Sequence, residues 1–241
     1  RQASGLQALL GDQVLVSYAM RYGNPAIGPA IDKMIAAGVD RILIAPLYPQ
    51  YSGATTATVV DAVGRHLASL RAQPSLRFLP PYFDQQDHIA ALASSLNKQL
   101  ARLDFTPDIL VASYHGMPQR TYELGDPYYE QCLRTTELLS AAMGRSIETA
   151  FQSRFGKAKW LGPATDTQLE TWGKQGKSVA IFAPGFSADC VETHEELAIR
   201  GLESYAEAGG QNFAYLPCLN DGEDGMDMLV KLVRRELAGW L

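Results

Sequence analysis

The amino-acid sequence predicts an α/β protein whose two lobes each contain a parallel β-sheet flanked by helices. Two features of the chain support this prediction. Short apolar runs of strand length alternate with longer stretches of helical periodicity along almost the whole chain. The runs are nearly continuous in apolar residues, as expected for strands that are covered on both faces by crossover helices. With 241 residues and 46% hydrophobic content, the chain can bury one large core or two modest ones, and we favour two.

The predicted strands are short and rich in β-branched residues, and they cover 14–20, 41–48, 77–81, 108–114, 179–184 and 213–219, with a weaker candidate at 157–161. The predicted helices show apolar residues at helical spacing, and they cover 25–37, 55–71, 85–103, 128–143, 189–208 and 222–238. About half of the strands lie on either side of 102–108, a segment that contains Asp104 and Pro107. We therefore predict an N-terminal lobe at 1–105, a C-terminal lobe at 106–221 and a final helical segment at 222–241.

Charge and cysteine content argue against several classes of protein. The net charge is −5 and no basic run occurs, which argues against a nucleic-acid partner. Cys132, Cys190 and Cys218 are far apart in the sequence and form no metal-binding motif, so we expect a reducing, cytoplasmic location. No apolar run reaches the ~18 residues of a membrane-spanning helix, although peripheral membrane association stays open. Because the sequence begins at Arg1, we expect that a natural N-terminal portion is absent from it.

Three loops follow predicted strands and carry unusual combinations of residues, namely 46–53, 113–118 and 184–192. In open parallel sheets, ligands bind beyond the carboxyl ends of the strands. These loops are therefore the first places to look for function.

His115 directly follows the predicted strand 108–114, and Gly116 allows the backbone to turn sharply after it. An imidazole at this edge of the sheet could accept protons or bind a borderline metal ion such as Fe(II). The alternative is a structural histidine that is hydrogen-bonded at the start of a loop. The position of His115 and the residues around it favour the functional interpretation.

Glu192 follows the next clear strand and lies in the first turn of a predicted helix. Together with Asp189 it matches the spacing of a capping box, in which the glutamate binds the backbone amide of the cap residue. Glu196 lies four residues further on and shares a helix face with Glu192. Such a pair of carboxylates could pass a cation inward, but a solvated helix face would have the same pattern.

Aromatic side chains are common in the same regions, and they comprise Tyr22, Tyr48, Tyr51, Tyr114 and Phe186. Their faces could hold a flat apolar ligand, while ordinary core packing is the alternative. Arg21 precedes Tyr22 at the end of the first predicted strand, where it could bind a carboxylate of a ligand or form a surface ion pair.

Taken together, these segments resemble the ferrochelatase family. The matching motifs follow one another in the family's order across nearly the whole chain, at 20–25, 46–52, 113–118, 125–128, 152–156, 184–193 and 217–221. A ferrochelatase inserts Fe(2+) into protoporphyrin IX to give protohaem, the terminal step of haem biosynthesis. The resemblance implies a class II chelatase-like fold of two Rossmann-like lobes, with the porphyrin in the cleft between them and the final helix packed back toward the first lobe.

The resemblance also implies roles for particular residues. His115 and Glu192 would be catalytic, and both would contact the metal together with Glu196. The porphyrin pocket would be lined by Arg21, Tyr22, Tyr48 and Phe186. Porphyrin and ferrous iron would be the ligands, with iron as a substrate and no permanent cofactor. The sequence does not indicate an oligomeric state.

Some positions depart from the family pattern. The family's opening strand and its Asn-Leu-Gly-Thr-Pro loop are missing, so the first lobe would be incomplete. Cys190 stands where some members have histidine, and Ala164 replaces an expected tyrosine. Arg200 follows Glu196 where some members carry a third acidic residue. The absence of a C-terminal cysteine cluster argues against the iron-sulfur centre of some relatives.

Two other functions stay open at this point. One is a cobalt or nickel chelatase that acts on a more polar tetrapyrrole, and the other is a non-catalytic tetrapyrrole-binding protein. A nucleotide-binding enzyme is disfavoured, because no G-x-G-x-x-G motif follows a predicted strand.

Overall fold

Two separate parallel sheets organise the chain. The computed structural model describes residues 1–241, and in it the first sheet pairs β1 (Arg41–Ile44) with β2 (Ser75–Phe78). The second sheet is also parallel, and its strands are β3 (Ile109–His115), β4 (Glu148–Gln152), β5 (Val179–Phe182) and β6 (Phe213–Leu216). Their order across the sheet is β4-β3-β5-β6.

Helices connect and cover the strands, and they are α1 (Gln2–Leu10), α2 (Ile27–Ala36), α3 (Thr56–Leu67), α4 (Gln86–Leu100), α5 (Gln119–Glu123), α6 (Tyr128–Met143), α7 (Thr165–Lys174), α8 (Arg200–Glu207) and α9 (Glu223–Glu236). A π-helix, Thr193–Ile199, runs directly into α8. The predicted α/β class, with parallel sheets flanked by helices, is confirmed.

Hydrophobic cores cover both faces of the second sheet. Along β3, Leu110, Ala112 and Tyr114 point into the larger core, where they meet side chains of α4, α6 and α9. Val111 points to the opposite face and packs with residues of α7, α8 and the π-helix. All four residues of β5 are buried, which explains why its sequence is apolar without alternation. The first sheet has a smaller core of its own, built around Ile42 and Val63.

The predicted strand at 14–20 is wrong. A strand needs the backbone of a neighbouring strand, and here the Gln7 side chain takes that place. Its amide nitrogen donates to the Val14 carbonyl at 2.8 Å, and its amide oxygen accepts from the Val16 backbone nitrogen at 2.8 Å. Only Met20 forms a single backbone bridge, to Ala26. The apolar run is therefore extended and largely exposed.

Other elements were missed or placed differently by the sequence prediction. Strand β4 was not predicted, because its sequence Glu-Thr-Ala-Phe-Gln has polar ends and no β-branched run. Helices α1, α5 and α7 were also missed. The weak candidate at 157–161 forms only one bridge, between Trp160 and Pro118. The helix predicted at 189–208 is a π-helix over much of its first half.

The C-terminal residues bind the strands of the first sheet. The Arg77 guanidinium donates to the carbonyls of Glu236 and Ala238 and lies 4.2 Å from the centre of the Trp240 ring. Arg41 donates to the Trp240 carbonyl at 3.3 Å. Helix α9 itself packs against α4 and α1. These contacts join β1 and β2 to helices of the larger core, while the division of the chain near residue 105 stays a prediction.

Two helical glycines differ sharply in their surroundings and provide a test of the packing. A Cβ on Gly173 would lie 2.6 Å from the Tyr205 carbonyl oxygen and 2.9 Å from the Ala208 Cβ, whereas a Cβ on Gly64 would meet nothing within 4 Å. We expect Gly173→Ala to lower the free energy of unfolding by about 1–3 kcal/mol through overpacking. Gly64→Ala should raise it by up to about 1 kcal/mol, since alanine favours the helix. Urea unfolding followed by circular dichroism measures both, and equal effects would contradict the packing of α7 against α8.

Candidate functional site

The second sheet has a topological switch point between β3 and β5. The chain passes from β3 to β4 on one side, then crosses back to β5 on the other side of β3 and continues outward to β6. Connections that leave neighbouring strands in opposite directions open a crevice at the carboxyl ends of those strands. His115 is the last residue of β3, and the loop 183–192 follows β5.

His115 and Glu192 meet in this crevice. The His115 Nδ1 and Glu192 Oε2 atoms are 3.9 Å apart, which is too long for a direct hydrogen bond. The side chains are 36% and 46% exposed, so both are open to a ligand. The sequence-predicted catalytic pair is therefore brought together by the fold, although the chemical role of each residue stays a prediction.

The backbone of His115 is fixed by its neighbours. The Tyr128 hydroxyl donates to the His115 carbonyl at 3.0 Å, and the Gly116 amide donates to the Gln152 carbonyl at 2.8 Å. A Cβ on Gly116 would lie 2.4 Å from the same Gln152 oxygen, so only glycine fits this close approach. The imidazole is thus carried on a backbone that is held on both sides.

The capping-box interpretation of Glu192 is wrong. In a capping box the glutamate would accept from the Asp189 amide. That amide instead donates to Asn220 Oδ1 at 2.8 Å, and the Cys190 amide donates to Thr193 Oγ1 at 2.9 Å. The carboxylate of Glu192 is therefore not used to cap its own helix.

Asp189 anchors the loop that carries Glu192. Its carboxylate accepts hydrogen bonds from the Tyr215 hydroxyl, the Cys218 amide and the Asn220 side chain. Burial raises the pKa of Asp189, but the hydrogen bonds from Tyr215, Asn220 and Cys218 outweigh it, so the pKa lies below its ordinary value. The charged carboxylate thus fastens the loop after β5 to the loop after β6.

Glu196 lies on the π-helix and is bound from β4. The Ser153 hydroxyl donates to Glu196 Oε2 at 2.6 Å. Ser153 follows the last residue of β4 and has a left-handed backbone with φ of 64°, which is uncommon for a residue other than glycine. The sequence analysis missed Ser153 because it missed β4. The Gln-Ser-Arg-Phe-Gly segment at 152–156 was the only available signal.

Arg200 lies beyond Glu196 and is paired with another residue. Its guanidinium contacts the Glu195 carboxylate, and that pair is exposed.

π-Helices are rare and are often found at functional sites. The π-helix begins directly after Glu192 and contains Glu196, so both residues belong to one continuous helical segment.

The loop that follows β1 lies against the loop that follows β5, since the Ser187 hydroxyl donates to the Leu47 carbonyl at 3.0 Å. Burial raises the pKa of Tyr48, and the nearby phenol of Tyr22 and the carboxylate of Glu192 raise it further, while Arg21 lowers it. The Arg21 guanidinium lies 4.5 Å from the centre of the Tyr22 ring and donates to the Thr58 carbonyl at 2.9 Å. These influences on the pKa of Tyr48 are consistent with Arg21, Tyr48 and Glu192 facing the same crevice, and their contact with a porphyrin stays a prediction.

Phe186 is placed differently from the other predicted pocket residues. It is half-buried and packs against the core on the α7 side of the second sheet. It also borders a small cavity beside α4, together with Leu96 and Pro217. Its contribution to a porphyrin pocket therefore stays a prediction.

Other possible ligand groups are spread over the molecule. No group of three or more His, Cys, Asp and Glu side chains is arranged to hold a metal ion. The three cysteines are free thiols, with Cys132 buried and the other two half-buried.

None of the helices has the length and apolar character needed to cross a lipid bilayer.

Nearly the whole chain matches a single protein family. The family model named Ferrochelatase matches residues 1–237. The chain is 50% identical to the ferrochelatases of Bradyrhizobium diazoefficiens and Nitrobacter hamburgensis, and each alignment covers 100% of this chain and 71% of the relative. Among solved structures, SirB from Bacillus subtilis with Fe3+ aligns with a TM-score of 0.74 at 12% identity, covering 99% of this chain and 88% of the other. At that identity the structural likeness supports the fold alone.

The Asp189 anchor leads to a prediction about stability and pH. Asp189→Asn should lower the free energy of unfolding by about 1–3 kcal/mol at pH 7, because the negative charge is lost and one of the two acceptor oxygens becomes an NH2 group that faces another donor. Since folding lowers the pKa of Asp189, its stabilisation is present above the ordinary aspartate value of about 4 and is lost as the pH falls through the lower folded value. The difference between wild type and variant should therefore shrink below pH ~4.

Urea unfolding at a series of pH values measures this difference. Asp61→Asn, on the exposed surface of α3, is the control and should have little effect at any pH. If the free energy of unfolding of Asp189→Asn stayed below that of wild type by a constant amount down to pH ~2, the stabilising role of the charged Asp189 carboxylate would be contradicted.

Proposed function

The chain belongs to the ferrochelatase family, and from that premise we propose that His115 and Glu192 carry out the chemistry of iron insertion. The function of the family is the insertion of Fe(2+) into protoporphyrin IX, the terminal step of haem biosynthesis. Identity of 50% to curated ferrochelatases over the whole chain favours this function over cobalt or nickel insertion and over non-catalytic tetrapyrrole binding.

One observation carries the proposal for the site. An imidazole and a carboxylate are 3.9 Å apart at the switch point of a parallel sheet, and both are partly exposed. Insertion requires that the ion lose its water, that two pyrrole protons leave and that the planar macrocycle open. The side chains of His115 and Glu192 would contact the ion without enclosing it. This suits a metal ion that must be passed on to the macrocycle, whereas a resident structural metal is usually enclosed by four ligands.

His115 is the proposed proton acceptor. Imidazole titrates near neutral pH and is an effective general base there. Its Nδ1 is the atom measured closest to Glu192, which leaves Nε2 as the nitrogen to meet the macrocycle. In this proposal the proton is taken up at Nε2, and the positive charge that results is stabilised by the carboxylate of Glu192.

Glu192 and Glu196 are the proposed path for the ion or for the released protons. Carboxylates bind hard and borderline cations and also relay protons to solvent. Glu192 lies beside His115, and Glu196 lies one step further along the helical segment, where the Ser153 hydroxyl holds it. The pairing of Arg200 with Glu195 supports a path that involves only these two carboxylates.

Arg21, Tyr22, Tyr48 and Phe186 are the proposed porphyrin contacts. A guanidinium at the crevice could bind a porphyrin carboxylate, and the tyrosine rings could lie against the macrocycle. A tyrosine phenol is already protonated at neutral pH, and the raised pKa of Tyr48 reinforces this, so its hydroxyl is available as a donor. Such walls could bend the ring at a cost of about 1–5 kcal/mol, supplied by binding of the rest of the ligand.

We also propose that iron is only a substrate and that the chain has no resident iron-sulfur cluster. Such clusters are usually held by four cysteine thiolates, and the chain contains three cysteines. Cys132 is buried in the core, where burial raises the pKa of its thiol and disfavours the thiolate. The cytoplasmic location predicted from the sequence remains a proposal of the same kind.

The roles of His115 and Glu192 are tested by substitution. We expect His115→Ala and Glu192→Gln each to lower kcat by about 10²–10⁴-fold, the range for loss of a general acid or base. Anaerobic absorbance assays of Fe(II) and Zn(II) insertion into protoporphyrin IX measure the rate.

Matched controls are available for both substitutions. Glu195→Gln removes a neighbouring carboxylate that is paired with Arg200, and His66→Ala removes an imidazole that is paired with Asp32 near the surface. Both controls should keep turnover near the wild-type value. A folded His115→Ala or Glu192→Gln enzyme with wild-type turnover would remove that residue from the mechanism.

A further inference from the structure

Asp126 lies in the loop between α5 and α6, and its carboxylate binds two separate parts of the molecule. Its Oδ2 atom accepts from the Ser52 hydroxyl at 3.0 Å and from the Gly53 amide at 2.7 Å. Its Oδ1 atom accepts from the Tyr128 amide at 3.0 Å. Ser52 is fully buried and Asp126 is half-buried, so the hydrogen bond between them is partly shielded from water.

On one side, Asp126 holds the loop that carries Tyr48. Ser52 and Gly53 belong to the connection between β1 and α3, a few residues after Tyr48. Two further polar groups of this connection are bound by side chains of α6. The Tyr51 amide donates to Gln131 Oε1 at 2.7 Å, and Gln50 Nε2 donates to Thr135 Oγ1 at 3.0 Å. The loop is thus attached to α6 at successive residues.

On the other side, Asp126 is linked to the backbone of His115. It accepts from the amide of Tyr128, and the hydroxyl of the same tyrosine donates to the His115 carbonyl at 3.0 Å. Tyr128 is buried, so its position is set by packing as well as by these two bonds. One carboxylate therefore connects the tyrosine-bearing side of the crevice to the histidine-bearing side.

We propose that Asp126 is a positioning residue that fixes the distance between the Tyr48 side and the His115 side of the porphyrin cleft. This inference rests on the roles given to His115 and Tyr48 under the proposed function. Asp126 itself need not contact the porphyrin or the iron. When its bonds are lost, Ser52 and Gly53 are no longer tied to the start of α6, while Gln50 and Tyr51 stay attached. The loop is then positioned less precisely, and the macrocycle is held less firmly against the imidazole.

The main test compares the effect of the Asp126→Ala substitution on porphyrin binding with its effect on the KM for the metal ion. Asp126→Ala should raise the KM for porphyrin and the porphyrin Kd by about tenfold and lower kcat by a similar factor, because a small misplacement of reacting groups is costly. The KM for Zn(II) or Fe(II) should change less than about twofold, since both donors remain. Quenching of protoporphyrin fluorescence measures the Kd, and the anaerobic insertion assay measures the kinetic constants.

Asp108 provides a matched control at the opposite edge of the sheet. Its Oδ2 accepts from the Ser178 amide and the Ser178 hydroxyl, each at 2.9 Å, and so makes the same kinds of bond as Asp126. Asp108→Ala should leave the porphyrin Kd and KM within about twofold of wild type, because the bonds it loses lie at the amino end of β3. If Asp108→Ala weakened porphyrin binding as much as Asp126→Ala, general loss of stability would explain both and the proposal would fail.

A milder variant covers the case in which Asp126→Ala does not fold. Ser52→Ala removes one of the three bonds to Asp126 and should raise the porphyrin KM about threefold, with the metal KM unchanged. The positioning role would be overturned if Asp126→Ala folded and kept the wild-type porphyrin KM and kcat. If Asp126→Ala did not fold, an unchanged porphyrin KM in Ser52→Ala would overturn it instead. That result would leave the roles of His115 and Glu192 intact, since those depend on their own substitutions.

Discussion

The parallel pairing of β3 with β5 is the constraint on which the site depends. His115 ends β3, and Glu192 lies on the connection that follows β5, far away in the sequence. Parallel strands that are neighbours deliver their carboxyl ends to the same edge of the sheet, and here the chain leaves those ends in opposite directions. The crevice and the proximity of the two side chains both follow from this one pairing.

Hydrogen bonds to two aspartates hold the loops that the sheet itself cannot hold. Beyond the ends of the strands, backbone groups have no ladder partners and must be satisfied in other ways. Asp189 binds the loop after β6 to the loop that carries Glu192, and Asp126 binds the loop after β1 to the start of α6. The precision of the site therefore derives from acceptors in its surroundings as well as from the strands beneath it.

The sequence was sufficient to predict the fold class and to place His115 and Glu192 at the same edge of one sheet, because buried parallel strands followed by unusual polar residues form a local signal. Ser153 and Asp126 could not be assigned in this way, since their partners lie on other elements and become apparent only when those elements pack. Strand β4 has too few apolar residues to be recognised alone. The apolar run at 14–20 had the expected pattern, but strand formation depends on a neighbour, and the side chain of Gln7 supplies the hydrogen bonds instead.

The contact between His115 and Glu192 adds little to the stability of the fold, so stability does not explain why the two side chains lie together. At 3.9 Å the two groups do not hydrogen-bond, and an ion pair between partly exposed side chains contributes at most about 1 kcal/mol. The helix start beside Glu192 is satisfied by Thr193 and Asn220 instead. Because other residues provide the structural contacts, the imidazole and the carboxylate are both left available to an incoming ligand, which is what the proposed transfer of a metal ion would require.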